Sequence, residues 1–431
     1  MKTVLEKDNA YVWHPFTQAA NAPAPLEVVG AEGPYLELAD GTRILDVISS
    51  WWTNLHGHSH PAIAKAIGEQ AAKLDHVIFA GCTHPLAVEV AERIVELTPE
   101  GLDRVFYSDN GSTSVEVGLK MAFQYWQNVG NPEKQEFVSF EHAYHGDTIG
   151  AMSVGDPSEF VAPFRPLLFD VHHIPTPDRE TSDEECLQKL KKLLQKRSSK
   201  IAAMIVEPMV QGAGGMRIQS PEFLMNVAAL CQAHNVLLIA DEVMTGFGRT
   251  GKMFASEHAG ISPDILCIAK GLTGGVVPLA ATIATEKIFQ AFWSSETRRA
   301  FLHGHSFTAN PITCAAALAS LELIESNDIL SQVATISEVY KERLPKLATH
   351  PRVEEVRWLG CIGVVELKPA TETSGYYDTA GIQLKEEFLK NGILIRPLGN
   401  VVYTLPPYIT PPEELHRVFD LLEEFLGNPA K

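Results

Sequence analysis

The stretch PDILCIAKGLTGG, residues 263–275, carries an apolar run from Ile265 to Ala269 that ends on one amine, Lys270. Glycines follow at once: Gly271, Gly274 and Gly275. Lysines are rarely buried, so the ordinary reading is a strand that reaches the surface and turns Lys270 into water. The other reading is a reactive amine held at the rim of a sheet, where open α/β folds place their chemistry. The choice depends on what the rest of the chain brings to that rim.

In NVLLIADEVMTGFGRTGK, residues 235–252, the apolar run Val236–Ala240 ends on Asp241, a carboxylate that is costly there unless paired. The runs RVFYS, EFVSF, IAAMIVEP, VLLIADE, DILCIAK and LAATIAT read as buried strands. Amphipathic stretches such as Ser114–Trp126 and Pro221–His234 lie between them and read as helices, and the charged stretch Asp183–Lys200 as an exposed helix with fraying ends. Such alternation predicts an α/β fold with a mainly parallel sheet flanked by helices. The strands ending on Asp241 and Lys270 should then open on the same edge. A carboxylate and an amine projecting from one edge suit pyridoxal 5'-phosphate. The lysine joins its aldehyde as a Schiff base, and the aspartate keeps the pyridine nitrogen protonated so that the ring can take up carbanion electrons.

The phosphate of such a cofactor needs a seat. In YSDNGSTSVEVGLKMAFQYW, residues 107–126, a strand end is followed by Gly111, Ser112 and Thr113 and then an amphipathic helix, whose amides and dipole favour an anion. Thr113 with Glu116 reads as a capping box, which is compatible with that role. In HAYHGDT, residues 142–148, Tyr144 is placed to stack on a cofactor ring. His145 has the chemistry of a general base, but Lys270 already fills that role. His56, His58 and His60 alternate without accompanying Cys, Asp or Glu, which argues against a metal site. Gly246, Gly248 and Gly251 mimic nucleotide-binding patterns. However, Met253 follows Lys252 where magnesium needs a hydroxyl, and no clean helix follows the glycines.

The chain has 431 residues, 45% hydrophobic and 20% charged, with a formal net charge of -18. No Lys/Arg-rich tract offsets that charge, which argues against nucleic acid or an anionic membrane as main partner. No uncharged run has the length of a membrane span, and the start shows no signal-peptide pattern. The six cysteines are scattered without a Cys-x-x-Cys pair, with Cys231 and Cys267 in core-like patterns, as expected of a reduced, cytoplasmic chain. Residues 1–60 read as an N-terminal segment with a turn at Asp40-Gly41, residues 61–320 as the large domain, and residues 321–431 as a smaller α+β domain against which the first segment packs. There the strands flank one helix, Ala380–Asn391, and Pro412–Leu426 forms the last helix.

IADEVMTGFGRTGKMFASEH (residues 239–258), together with PDILCIAKGLTGG, resembles the signature of the class III aminotransferases, pyridoxal-phosphate enzymes of fold type I. The likeness covers nearly the whole chain. YVWHPFTQ, SSWWTNLHGHSHP, AYHGDTIG, MVQGAGGM and IRPLGNVVYTLPPY are similar to the branch that converts 8-amino-7-oxononanoate to 7,8-diaminononanoate in biotin biosynthesis. The resemblance implies a homodimer in which Lys270 is the Schiff-base lysine and proton shuttle and Asp241 the partner of the pyridinium. Gly111 and Ser112 would hold the phosphate, with Tyr144 beside the ring and Trp51 lining the substrate tunnel. It further implies that Gly304, His305 and Ser306 reach phosphate and substrate from the other subunit. Arg396 would grip the substrate carboxylate near Tyr403, with Asp147 and Arg249 in support. Phe16 stands where a tyrosine hydroxyl is common, and His305-Ser306 where Pro-Thr is common. Phe16 thereby leaves two donors open, S-adenosyl-L-methionine, which is favoured, and lysine. The rivals are another class III ω-aminotransferase, an aminomutase on the same fold and, through the 246–252 glycines, a nucleotide-binding protein.

Overall fold

The computed structural model describes residues 2–156, 161–369 and 380–427. Seven strands form the central sheet: β1 (Leu102–Ser108), β2 (Glu136–Phe140), β3 (Val171–Ile174), β4 (Ile201–Val206), β5 (Leu237–Asp241), β6 (Ile265–Ile268) and β7 (Ala280–Thr285). Their spatial order is β1-β7-β6-β5-β4-β2-β3. β5 runs parallel to both β4 and β6, whereas β7 is antiparallel to its neighbours β6 and β1. Every residue of β4, β5 and β6 is buried, as expected for strands covered by helices on both faces.

All six apolar runs read from the sequence are strands of this sheet. The seventh, β3, reads Val-His-His-Ile, and its two histidines break the apolar run. Because β3 is an edge strand and only partly buried, it tolerates them.

Helix α1 spans Gly111–Asn128 and starts three residues before the amphipathic pattern does. The expected Thr113–Glu116 capping box is not formed. Asn110 is the N-cap: its side chain accepts from the Thr113 amide at 3.0 Å, and Thr113 Oγ1 accepts from the Asn110 amide at 3.0 Å. Glu116 instead accepts the amides of Gly150 and Ala151. The charged helix Asp183–Arg197 does not fray at its start, since Ser182 and Glu185 form a capping box there. It buries a stripe of Cys186, Leu190 and Leu194.

Around this core, Val28–Glu32, Tyr35–Leu38 and Arg43–Asp46 form an antiparallel meander whose turn at Asp40-Gly41 uses a left-handed Gly41. Arg43–Asp46 also pairs in parallel with Ile393–Leu394, tying the start of the chain to its last third. Val353–Leu359, Ile362–Leu367 and Val401–Thr404 make a separate antiparallel sheet. The helices there are Ala380–Lys390 and Pro412–Gly427. The last of these buries Leu415, Val418, Phe419, Leu422, Phe425 and Leu426 against helix Ile329–Leu347. All six cysteines are free, with Cys231 and Cys267 buried. Among the described residues, no helix is long and apolar enough to cross a membrane.

Candidate active site

Three neighbouring strands deliver three ionisable groups to one edge of the sheet. Glu207 follows β4, Asp241 ends β5, and Lys270 lies just beyond β6, where Asp241 pairs with Cys267. All three line a cavity of about 630 Å³, together with Gly111, Ser112, Tyr144, His145, Asp147 and Trp52.

Asp241 is buried and paired. His145 Nδ1 lies 2.7 Å from its Oδ2, and the Val243 amide donates to Oδ1 at 3.1 Å. The other ring nitrogen of His145, Nε2, is buried and has no partner among the described residues. Tyr144 donates its hydroxyl to Asp147 at 3.0 Å and its amide to Glu207 at 3.0 Å, and Glu207 also accepts from the Gly212 amide at 2.9 Å. Burial, helped by the nearby Asp241 charge, pushes the Glu207 carboxyl up to about 7.

Burial lowers the Lys270 amine to about 8, opposed by the carboxylates of Asp241 and Glu207 and aided by the Arg249 charge. A useful fraction is therefore unprotonated near neutral pH. Its Nζ lies 4.9 Å from the centroid of the Trp52 ring. The small residues after it have a steric cause. A Cβ on Gly275, at φ 83°, would lie 2.5 Å from the Thr53 carbonyl, so the loop closes tightly on the chain that carries Trp52.

The start of α1 faces the same cavity. Among the described residues, no partner takes the amide hydrogens of Gly111 and Ser112. Ser112 Oγ lies 2.7 Å from Thr148 Oγ1 and accepts from the Thr148 amide at 3.0 Å. Gly146 crosses close by, where a Cβ would lie 2.4 Å from Ser112 Oγ. Free amides at the head of an 18-residue helix fit a phosphate. The carboxylate–histidine pair and the soft amine fit the pyridine nitrogen and the aldehyde of pyridoxal phosphate.

A second cluster lies beside the cavity. Phe16 meets Trp51 edge to face at 5.6 Å, and the Arg396 guanidinium carbon lies 4.5 Å from the Trp51 ring centroid. Trp52 Nε1 donates to the Tyr403 hydroxyl at 2.9 Å. The turn carrying both tryptophans holds Ser49, Ser50 and Trp52 at positive φ (49°, 58° and 64°), a conformation that costs on the order of 1–3 kcal/mol per non-glycine residue. Arg249 is buried behind the turn, donating to the carbonyls of Asn54 at 3.0 Å, Pro406 at 3.0 Å and Trp52 at 3.3 Å.

Gly304, His305 and Ser306 are not among the residues lining the cavity, and Gly304 and Ser306 are exposed. His305 Nδ1 lies 2.7 Å from Asp109, which does line it. The glycines at 246–252 also lie outside that lining; a Cβ on Gly246 would lie 3.3 Å from Phe254 and one on Gly248 2.9 Å from Ile329. Of the alternating histidines, His56 and His60 meet edge to face at 6.2 Å, whereas His58 bonds elsewhere. His56 meets Ser320, His58 meets Asp46, and His60 accepts the Ala62 amide at the start of helix Pro61–Lys73.

Two groups that bear on the site escaped the sequence reading. Glu207 gave the same signal as Asp241, an acid ending a fully apolar run, in IAAMIVEP. His145 was assigned no role of its own, and its pairing with Asp241 joins residues far apart in sequence.

The class-III aminotransferase family model matches residues 16–426. The chain belongs to the class III aminotransferases. This aminotransferase is 49% identical over 423 residues to the adenosylmethionine-8-amino-7-oxononanoate aminotransferase of Synechococcus elongatus, covering 96% of this chain and 99% of that one. It is 42% identical to the enzyme of the same name from Geobacter sulfurreducens, covering 98% of this chain and 97% of that one. The crystal structure of the adenosylmethionine-8-amino-7-oxononanoate aminotransferase from Methanocaldococcus jannaschii superimposes with a TM-score of 0.92 at 37% identity, covering 97% of each chain. An amine transaminase from an uncultivated Pseudomonas species, solved with pyridoxal phosphate bound, gives 0.88 at 32% identity, covering 96% of this chain and 97% of that one. The class III aminotransferase described here is a pyridoxal-phosphate-dependent enzyme of fold type I.

Proposed function

We propose that the enzyme aminates 8-amino-7-oxononanoate to 7,8-diaminononanoate for biotin synthesis, with S-adenosyl-L-methionine as amino donor, and works as a cytoplasmic homodimer. The observation that carries the acceptor is Arg396, whose guanidinium lies 4.5 Å from the Trp51 ring centroid beside the cavity. A guanidinium holds a carboxylate through two parallel hydrogen bonds, and an aromatic wall suits the aliphatic chain behind it. The names of the relatives point to the same acceptor and donor.

When bound, pyridoxal phosphate supplies an aldehyde that captures amines and a ring that takes up the electron pair of a broken C–H bond. In this reading Gly111 and Ser112 hold its phosphate and Tyr144 lies against its ring. Asp241, backed by His145, keeps a proton on its pyridine nitrogen. Lys270 provides the covalent anchor and, with its amine near pH 8, moves a proton at the substrate α-carbon. Asp147 orients Tyr144, Arg249 braces the tryptophan turn, and Tyr403 fixes Trp52. Gly304, His305 and Ser306 act on the site of a second copy of the chain.

Trp51 and Trp52 offer an aromatic surface to a sulfonium donor, an attraction of roughly 0.5–2 kcal/mol. Phe16 lacks a hydroxyl to orient the donor amine, which is the feature that keeps lysine as a rival. Mixing the yellow holoenzyme with each donor alone separates the two. Loss of the yellow absorbance with S-adenosyl-L-methionine supports the proposal, whereas loss with lysine alone replaces the donor.

A further inference from the structure

Asp46 ends the strand Arg43–Asp46 and is fully buried. A carboxylate in that position must have its lone pairs satisfied. Four donors do so. The Ile48 amide reaches Oδ1 at 3.1 Å. The Ser50 amide, the Ser50 hydroxyl and His58 Nε2 reach Oδ2 at 2.7, 2.9 and 2.9 Å. Asn54 Nδ2 lies 3.3 Å from His58 Nδ1. A carboxylate only accepts, so His58 Nε2 carries a proton aimed at Asp46.

These bonds span the left-handed turn at residues 49–52. Such a conformation persists only when its surroundings over-determine it. The turn sends Trp51 out beneath Arg396 and Trp52 in toward Lys270 and Tyr403. Asp46 itself is not among the residues lining the cavity.

We propose that Asp46 is the positioning residue of the substrate mouth: its carboxylate, seconded by His58, fixes the strained turn that sets the directions of Trp51 and Trp52. The proposal rests on the reading that the oxononanoate acceptor lies against Trp51 and Arg396. In Asp46→Asn an NH₂ group faces donors that the carboxylate had accepted, so the turn relaxes while the strand-end residues stay in place.

The expected result for Asp46→Asn is a rise in KM for 8-amino-7-oxononanoate of about 10-fold or more, with kcat within about 3-fold of wild type. The affinity of the apo-protein for pyridoxal phosphate stays unchanged, and the near-UV circular dichroism bands of tryptophan shift. If Asp46→Asn does not fold, His58→Leu takes its place, with a KM rise of about 3-fold and the same spectral shift. A wild-type KM with an unshifted spectrum overturns the proposal. So does a parallel loss of kcat, KM and cofactor affinity, which marks a general structural role. If the wild-type enzyme does not aminate this acceptor, the functional reading fails, and the tryptophan spectrum alone decides the role of Asp46.

Discussion

Replacing Lys270 by methionine should stabilise the cofactor-free protein near neutral pH while abolishing turnover. The folded environment lowers the amine from 10.5 to about 8, chiefly because burial penalises its charge. That fall corresponds to roughly 3 kcal/mol in favour of the unfolded state at any pH below about 8. Methionine is apolar and one atom shorter than lysine, so it leaves a small void that returns part of the gain. The attraction of Asp241 and Glu207 for the cation is already contained in the fall to about 8. The expected net gain is about 1–2 kcal/mol.

The sign with pH follows from the direction of the shift. For a group lowered in the folded state, the stability it contributes is present above the unfolded value and lost as pH falls through the folded one. The advantage of Lys270→Met should therefore be full below about pH 8 and shrink to nothing by about pH 10.5. Urea unfolding of both apo-proteins across that range, followed by circular dichroism, measures the difference directly. A variant less stable than wild type at neutral pH, or a difference that does not shrink above pH 8, would refute the claim that Lys270 is held in an unfavourable, desolvated setting.

Other perturbations separate the remaining roles. Asp241→Asn should still bind pyridoxal phosphate but lose about 10²–10⁴-fold in rate, because a neutral amide does not hold a proton on the pyridine nitrogen; unchanged kcat removes Asp241 from that role. Glu207, raised to about 7, adds apo-protein stability at low pH that is lost as pH rises through 7. Glu207→Gln should therefore match wild type below about pH 4.5 and exceed it above pH 7 by about 1–3 kcal/mol, and a pH-independent difference in urea midpoint would contradict the cause given for the shift. Arg396→Ala should lower kcat/KM for the oxononanoate roughly 10–100-fold and leave the donor half-reaction intact, measured by single-turnover kinetics; equal effects on both halves would sink the carboxylate role.

The central sheet was legible because its inner strands, buried on both faces, are largely apolar, and the edge strand Leu102–Ser108 keeps an apolar run in its second half. The edge strand Val171–Ile174 escaped because half-exposure permits two histidines. Asp241 and Lys270 stood out as charges ending apolar runs, and the parallel sheet alone was enough to bring them to one edge. The Asn110 cap was hidden by a competing Thr113–Glu116 pattern, because a cap is chosen by backbone path as well as by residue type. The tryptophan turn was not legible at all. Nothing in SSWWTN announces positive φ at three non-glycine residues, since the turn is imposed by Asp46, by Arg249 from far along the chain, and by the Leu405 carbonyl, which accepts the Ser49 hydroxyl at 2.8 Å.

The most direct measurement of the whole account follows one nitrogen atom. Holoenzyme is incubated with 8-amino-7-oxononanoate and S-adenosyl-L-methionine carrying an isotopically labelled α-amine, and the product is analysed by mass spectrometry. The account predicts labelled 7,8-diaminononanoate from the wild-type enzyme and none from Lys270→Ala. Absence of labelled product from the wild type, or its appearance from Lys270→Ala, would contradict it.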